Sequence, residues 1–309
     1  MRDANSLVSI MIPVYNRENI ISETLDCAIH QTYTNIEIIV FDNHSTDSTW
    51  SILQEFALKD KRIKIFRNPA NIGPVMNWKK CIEKLKGDYT KILWSDDLIS
   101  NDFIEKSLNL FDKDTSFVMS GVRIFNSNDN KTLSLSKYQN KQIYTKEEYL
   151  KDILFYNKNG FPVSPCCALF RTDDIKTSFI EQIPNKENLD FKRFGAGNDL
   201  LLFLITASKY KYIKCLNEYS THFRSHPSSL TISNKLNLYY EYAISFFIIN
   251  FFNDQMINYK SKLYLLCIKI PEYKILFNTI NCKVEFSCLI KHYFSLLNYK
   301  IIIKLGLKK

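Results

Sequence analysis

The sequence predicts an α/β protein in which a mostly parallel, Rossmann-like sheet is flanked by helices and followed by a C-terminal helical extension. Short apolar, β-branched runs alternate with stretches whose apolar residues repeat at helical spacing through the first third of the chain. Each run ends in a cluster of polar residues, as strands do where they pass into loops. The composition is 46% hydrophobic and 14% aromatic, with 7 glycines and 8 prolines in 309 residues. That is enough to bury a full core, and it leaves no stretch that reads as a flexible linker.

Residues 7–14 (LVSIMIPV) form the first predicted strand, running into the loop Tyr15-Asn16-Arg17. Ile21, Leu25, Ala28 and Ile29 then recur at i, i+4, i+7 and i+8, the stripe of a helix laid on a sheet. Residues 36–41 (IEIIVF) are a second strand stopped by Asp42, and Trp50, Leu53 and Phe56 restore a helical period. A third strand at 63–66, a helix at 75–85 and a fourth strand at 89–93, ending at Ser95-Asp96-Asp97, continue the alternation. Strands separated by helices of this length imply right-handed crossovers between parallel neighbours. Ligands of such sheets bind beyond the carboxyl ends of the strands, where Asn16 and Arg17, Asp42 and Asp47, Asn68 and Asn71, and Asp96 and Asp97 gather. Farther on, residues 117–125, 165–170 and 212–223 read as strands, and 146–156 and 198–209 as helices.

Asp96 and Asp97 are the first residues to suggest chemistry. Adjacent carboxylates at a strand end repel each other, and a divalent cation bridging to phosphate relieves that repulsion. Mg²⁺ or Mn²⁺ takes one or two carboxylates and completes its shell with phosphate and water. The plainer alternative is that Ser95 or Asp97 caps the following helix.

Six segments together resemble the family 2 nucleotide-sugar glycosyltransferases of GT-A fold, of the bacterial cell-surface glycan type. They are VSIMIPVYNR (8–17), IVFDNHSTDST (39–49), NPANIGPVMNW (68–78), GDYTKILWSDD (87–97), AGNDLLL (196–202) and HFRSHPSSLT (222–231), in the family's order. The resemblance implies a GT-A domain over 1–235, with a nucleotide-binding part (1–115) and an acceptor part (116–235), and a basic, aromatic-rich helical tail over 236–309. It implies Pro13 and Tyr15 as wall and backbone contacts to the nucleotide base, and Asp42 as acceptor from a base N–H. Asp97 is implied as first metal ligand, Asp96 as ribose or second metal contact, and Arg224 and His226 as neighbours of the pyrophosphate and metal. Asn71, Gly73 and Asn77 are expected near the diphosphate, although Gly73 and Asn77 also suit a turn and a helix. Arg224 and His226 equally suit a surface ion pair and a solvated loop.

The family's catalytic base is the Asp of a Glu-Asp pair opening a helix, which implies Asp199 here. The helix dipole also accounts for an acid at that position, and favours its ionised form. The Glu is replaced by Asn198, and an acid common two places before Asp96 is replaced by Trp94. On this reading Asn198→Glu should leave transfer intact or raise it. Gly195-Ala196-Gly197, just before, reads as a mobile loop or a tight turn.

The activity implied is metal-dependent transfer of a hexose-type residue, with inversion, from a nucleoside diphosphate sugar to a glycan or lipid-linked acceptor. UDP is the default nucleotide by family habit. The alternative is a non-catalytic nucleotide-sugar-binding subunit, suggested by Asn198 and Trp94.

The net charge of +9 is concentrated at the end of the chain, where ten lysines follow Gln255 against only Glu272 and Glu285. Such a tail fits an anionic membrane surface, or a helix pair packed on protein, with Phe286, Leu289, Ile290, Tyr293, Phe294 and Leu297 on one face. No nucleic-acid module accompanies it, so no nucleic-acid partner is expected. Eight cysteines without C-x-x-C or zinc-finger spacing read as buried reduced thiols. With no signal-peptide pattern and no run of about 18 apolar residues, a cytoplasmic location is expected, at most peripheral on the inner face of the membrane.

Overall fold

The computed structural model describes residues 5–136, 141–156, 159–185, 187–226 and 236–251. It opens with β1 (Val8–Val14), α1 (Ile21–Ile29), β2 (Ile36–Asp42), α2 (Thr49–Lys59), β3 (Ile63–Arg67), α3 (Pro74–Ile82) and β4 (Tyr89–Ile92). The strand and helix periods predicted for this half are all present. β5 (Leu98–Ile99), α4 (Phe103–Leu110), β6 (Thr115–Asn126), β7 (Thr132–Ser136), β8 (Ile143–Thr145) and α5 (Lys146–Lys151) follow. The last elements are β9 (Ala168–Arg171), α6 (Thr172–Ser178), α7 (Phe191–Phe194), α8 (Asn198–Lys209), β10 (Tyr212–Ser225) and α9 (Asn237–Phe251). Two expected elements are shorter. The 146–156 helix changes at Asp152 into a π-helical turn, and the 165–170 strand begins with a 3₁₀ turn at Pro165, whose fixed φ and missing N–H suit a helical start.

The sheet runs β3-β2-β1-β4-β9-β6-β10-β5, with β7 on β6 and β8 on β10. β1 to β4 pair in parallel. Beyond β4 the sheet is mixed: β9 is antiparallel to β4 and β6, β6 and β10 are parallel, and β5 is antiparallel to β10. The parallel half is buried on both faces, as such sheets must be. Val8, Ile10, Ile12 and Val14 face α1 and α4 with Ile36, Ile38 and Val40, while Met11, Ile39 and Phe41 face α3.

α8 is apolar all round, with every residue from Leu200 to Ala207 buried. It lies between β6 and α9, with α5 and α6 beside it. Exposing one face of this run would forfeit about 1.5–3 kcal/mol per Leu or Phe. α9 supplies the cover through Tyr239, Tyr242, Ala243 and Phe247, which belong to the same core. The described start of the expected tail, residues 236–251, thus packs on the preceding domain and shares its core. The helix face expected around Phe286 lies outside the described residues.

Five cysteines among the described residues are unpaired thiols, four of them buried. No described helix is long and apolar enough to cross a membrane.

Candidate active site

The strand order reverses at β1, which has β2 on one side and β4 on the other. Loops leaving the carboxyl ends of β1 and β4 must diverge there, opening a crevice. Pro13 is tolerated in β1 because pairing to β4 stops at Met11, so no ladder bond is lost on that side. Tyr15 follows, 38% exposed at the crevice wall. Arg17, from the same loop, reaches across to Asp96 at 3.6 Å. Its Nε is buried with no partner among the described residues, a donor available to a ligand oxygen.

Asp96 also meets His226, whose Nε2 lies 2.9 Å from Oδ2, with 10% and 20% of the two side chains exposed. Asp97 is turned inward. It accepts the backbone N–H of Arg224 at 3.0 Å, and burial, then the neighbouring Asp96 charge, pushes its carboxyl well above the usual range. Lys91, fully buried below the pair, has its ammonium over the Phe103 ring at 3.8 Å. The carboxylate presented to the crevice, beside the imidazole, is that of Asp96, while Asp97, expected as the first metal ligand, is buried behind it. No group of three His, Cys, Asp or Glu forms a closed cage among the described residues. A carboxylate and an imidazole at hydrogen-bond distance still fit a divalent ion that takes its other ligands from phosphate and water.

Arg224 donates from its Nε to the Asp96 carbonyl at 3.0 Å and from its terminal nitrogen to Glu23 at 2.8 Å, with 4% of the side chain exposed. It clamps the Asp96 loop to α1 through an ion pair with Glu23, whose side chain is 58% exposed, which is the pairing with a surface acid that was the alternative reading.

Asp42 is fully buried and its oxygens are taken by Ser45 and by Arg67, whose Nε is 3.0 Å away. It shapes the loop after β2, at the position where an acceptor for a base N–H was expected. Asn77 is likewise structural: it accepts from Asn68 at 2.8 Å and donates to the Phe41 carbonyl at 2.9 Å. Asn43 ties this network to the Asn71 side chain at 2.9 Å, and Asn71 in turn accepts the Gly73 N–H at 3.0 Å. Four asparagines thus lock the loop after β2 to the loop after β3. Of the residues expected near the diphosphate, Asn71 and Gly73 remain at the surface of this network.

Asp199 stands in the first turn of α8. Its Oδ1 accepts the N–H of Gly197 at 2.9 Å and of Leu200 at 2.7 Å, and its Oδ2 accepts the hydroxyl of Tyr240 at 3.0 Å. Burial pushes its pKa up to about 7, against the hydrogen bonds from Leu200, Tyr240 and Gly197 that lower it. Desolvation thus outweighs the helix dipole that was expected to keep it ionised. The turn before it is tight rather than open. Gly197 has φ +85°, and a Cβ there would sit 2.9 Å from the Tyr239 carbonyl oxygen. The same segment abuts α3, with Gly195 near Val75 and the Lys192 carbonyl near Gly73.

The two departures from the family pattern both have partners. Asn198 donates to the carbonyls of Ile180 at 2.6 Å and Glu181 at 3.0 Å. Trp94 donates to the Ser164 hydroxyl at 2.9 Å and packs edge-on against Trp78 at 5.2 Å. Sequence reasoning passed over Glu23, and it took Arg17 only as a polar loop residue. It also missed Tyr240, although the all-apolar α8 sequence signalled that a further element must cover it.

The sequence profile of Glycosyl transferase family 2 matches residues 9–179. An uncharacterized glycosyltransferase of Haemophilus influenzae is 44% identical over 103 residues, 33% of this chain and 41% of that protein. One of Rickettsia felis is 32% identical over 205 residues, 65% of this chain and 30% of that protein. The chain thus spans well under two thirds of the length of these relatives. Among solved structures, S. aureus TarS 1-349 in complex with UDP-GlcNAc superposes with a TM-score of 0.60 at 18% identity, covering 85% of this chain and 72% of that one. At that identity the likeness establishes the fold.

Proposed function

Since the chain belongs to glycosyl transferase family 2 by the match over residues 9–179, we propose that it transfers a hexose-type sugar from a nucleoside diphosphate, UDP by default, to a glycan or lipid-linked acceptor. The observation that carries this reading is the convergence of Arg17, Asp96 and His226 at the mouth between β1 and β4. Cationic donors and a carboxylate–imidazole pair at a switch point suit a diphosphate. The complex of the structural neighbour TarS with UDP-GlcNAc supports a nucleotide sugar as the class of ligand.

Displacing a diphosphate from an anomeric carbon builds positive charge on the sugar ring and negative charge on the leaving group. Asp96 and His226 would hold Mg²⁺ or Mn²⁺, and the imidazole favours Mn²⁺. Such an ion, when bound, supplies Lewis-acid neutralisation of the leaving diphosphate. Arg17 adds a permanent cation on the same side, with its Nε free for a phosphate oxygen. Asp199, its pKa pushed up to about 7 by burial, is matched to remove the proton of an acceptor hydroxyl as the new bond forms. One base and no second carboxylate assigned as nucleophile make a single displacement with inversion the reading adopted here. Asn198 and Trp94, each occupied with a fold contact, no longer argue for a non-catalytic subunit.

The test is a thermal-shift series of UDP and GDP sugars with Mn²⁺ or with EDTA, followed by assay of donor consumption. A nucleotide sugar that binds only the folded protein raises its apparent stability, by about 2.7 kcal/mol at a hundredfold excess over Kd. No stabilisation by any nucleotide sugar in either condition would overturn the proposal.

A further inference from the structure

We propose that Tyr240, on the helix beyond the family-matched region, is a positioning residue for Asp199, its hydroxyl fixing the second carboxylate oxygen of the base. This rests on the assignment of Asp199 just made. Tyr240 donates to Oδ2 at 3.0 Å, while Oδ1 is saturated by two backbone N–H groups of the α8 start. Without the phenol, Oδ2 keeps no partner among the described residues, and the carboxylate loses one of the three contacts that set its plane.

The helix carrying Tyr240 is held for this task by close packing. Its backbone approaches Gly197 so tightly that a Cβ would meet Tyr239 O at 2.9 Å and the Ala243 side chain at 3.2 Å. The Tyr239 ring stands edge-on to Phe191 at 5.0 Å and to Phe194 at 5.6 Å, tying α9 to α7 as well as to α8. Burial, with the Asp199 charge, keeps the Tyr240 phenol far above its ordinary pKa, so it stays a donor throughout the working range.

A hydroxyl that donates to a carboxylate stabilises the ionised form, so its removal raises the pKa of the acid. Other charged groups on the elements around Asp199 are Lys192 and Arg193 of α7, Glu241 of α9 and the Lys79 and Glu181 pair that joins α3 to the loop before α7. None of them is hydrogen-bonded or ion-paired with Asp199. Tyr240 is therefore the side chain hydrogen-bonded to Asp199 among the described residues, acting against the burial that raises its pKa.

The experiment compares wild type, Tyr240→Phe and Asp199→Asn as full-length chains. Carboxyl-¹³C aspartate labelling follows the titration, the Asp199 resonance being the one lost in Asp199→Asn. Tyr240→Phe keeps the ring and its packing, so melting near pH 5, where Asp199 is protonated with or without the phenol, should be unchanged, while the Asp199 midpoint should rise by about 1 pH unit. Cleavage of UDP-GlcNAc with Mn²⁺ should fall about fivefold at pH 7 and recover above pH 9, because the base is then ionised again. An unmoved midpoint overturns the proposal, and so does a uniform loss of rate at all pH with the midpoint unmoved, which would mark Tyr240 as packing alone. If Asp199→Asn cleaves the donor as fast as wild type, the assignment of the base fails, yet the titration still decides whether Tyr240 governs that carboxylate.

Discussion

The imidazole Nε2 of His226 lies 2.9 Å from the Asp96 carboxylate although the two are 130 residues apart in sequence. The strand β10 brings His226 there, and Arg224, two residues earlier, fixes the Asp96 carbonyl from behind. The pair presents a carboxylate and an imidazole together at the crevice, where we propose a diphosphate-bound cation.

From this pair we expect Asp96→Asn and His226→Ala each to weaken Mn²⁺-dependent UDP binding by at least about tenfold. Binding in EDTA should be the same for both variants and wild type. Asp97→Asn should keep the Mn²⁺ dependence, since that carboxylate faces the Arg224 N–H. Calorimetric titration of UDP checks all three, and a loss of metal dependence in Asp97→Asn alone would restore the assignment suggested by the sequence.

Asn198→Glu should damage the protein rather than improve it. The Asn amide donates to two backbone carbonyls, and a Glu would set a carboxylate against both oxygens. The cost should be about 2 kcal/mol or more, since two partly buried carbonyls lose their donor and a charge is introduced. Thermal melting reads this directly. An unchanged melting temperature with raised activity would show that the site accepts a second acid.

Asp199 should make the fold less stable where it is most useful. Its pKa is raised from 3.8 to about 7 by burial, so the stability it contributes is present below pH 3.8 and is lost as pH rises through about 7. Asp199→Asn keeps the shape and removes the ionisation. The variant should melt above wild type at pH 8, and level with it near pH 4. Melting curves at the two pH values suffice, and a variant less stable than wild type at pH 8 would contradict the burial argument.

The N-terminal half of the fold was legible because each strand and helix there carries its own period. In β1, residues 8, 10, 12 and 14 point one way and Met11 the other, as the alternation requires. The second half was harder to read. β6 and β10 are long, partly polar strands in a mixed sheet, and their pairing depends on contacts far apart in sequence. Motif order pointed to Asp96, His226 and Asp199, but it could not say which carboxylate of an adjacent pair faces out. That depends on the backbone N–H of Arg224, which draws Asp97 inward. Asp42 and Asn77 are both held in loop networks, as polar residues at strand ends serve loop geometry as often as ligands. Tyr240 escaped because no motif surrounds it; only the need to cover α8 pointed to α9.

The most direct test of the account is single-turnover cleavage of the nucleotide sugar that stabilises the fold most, measured with donor affinity for wild type and Asp199→Asn. If Asp199 is the base, the rate falls by about 10²–10⁴-fold while donor affinity stays within about twofold, because the nucleotide is held at the β1 and β4 ends. Turnover near the wild-type rate would contradict it.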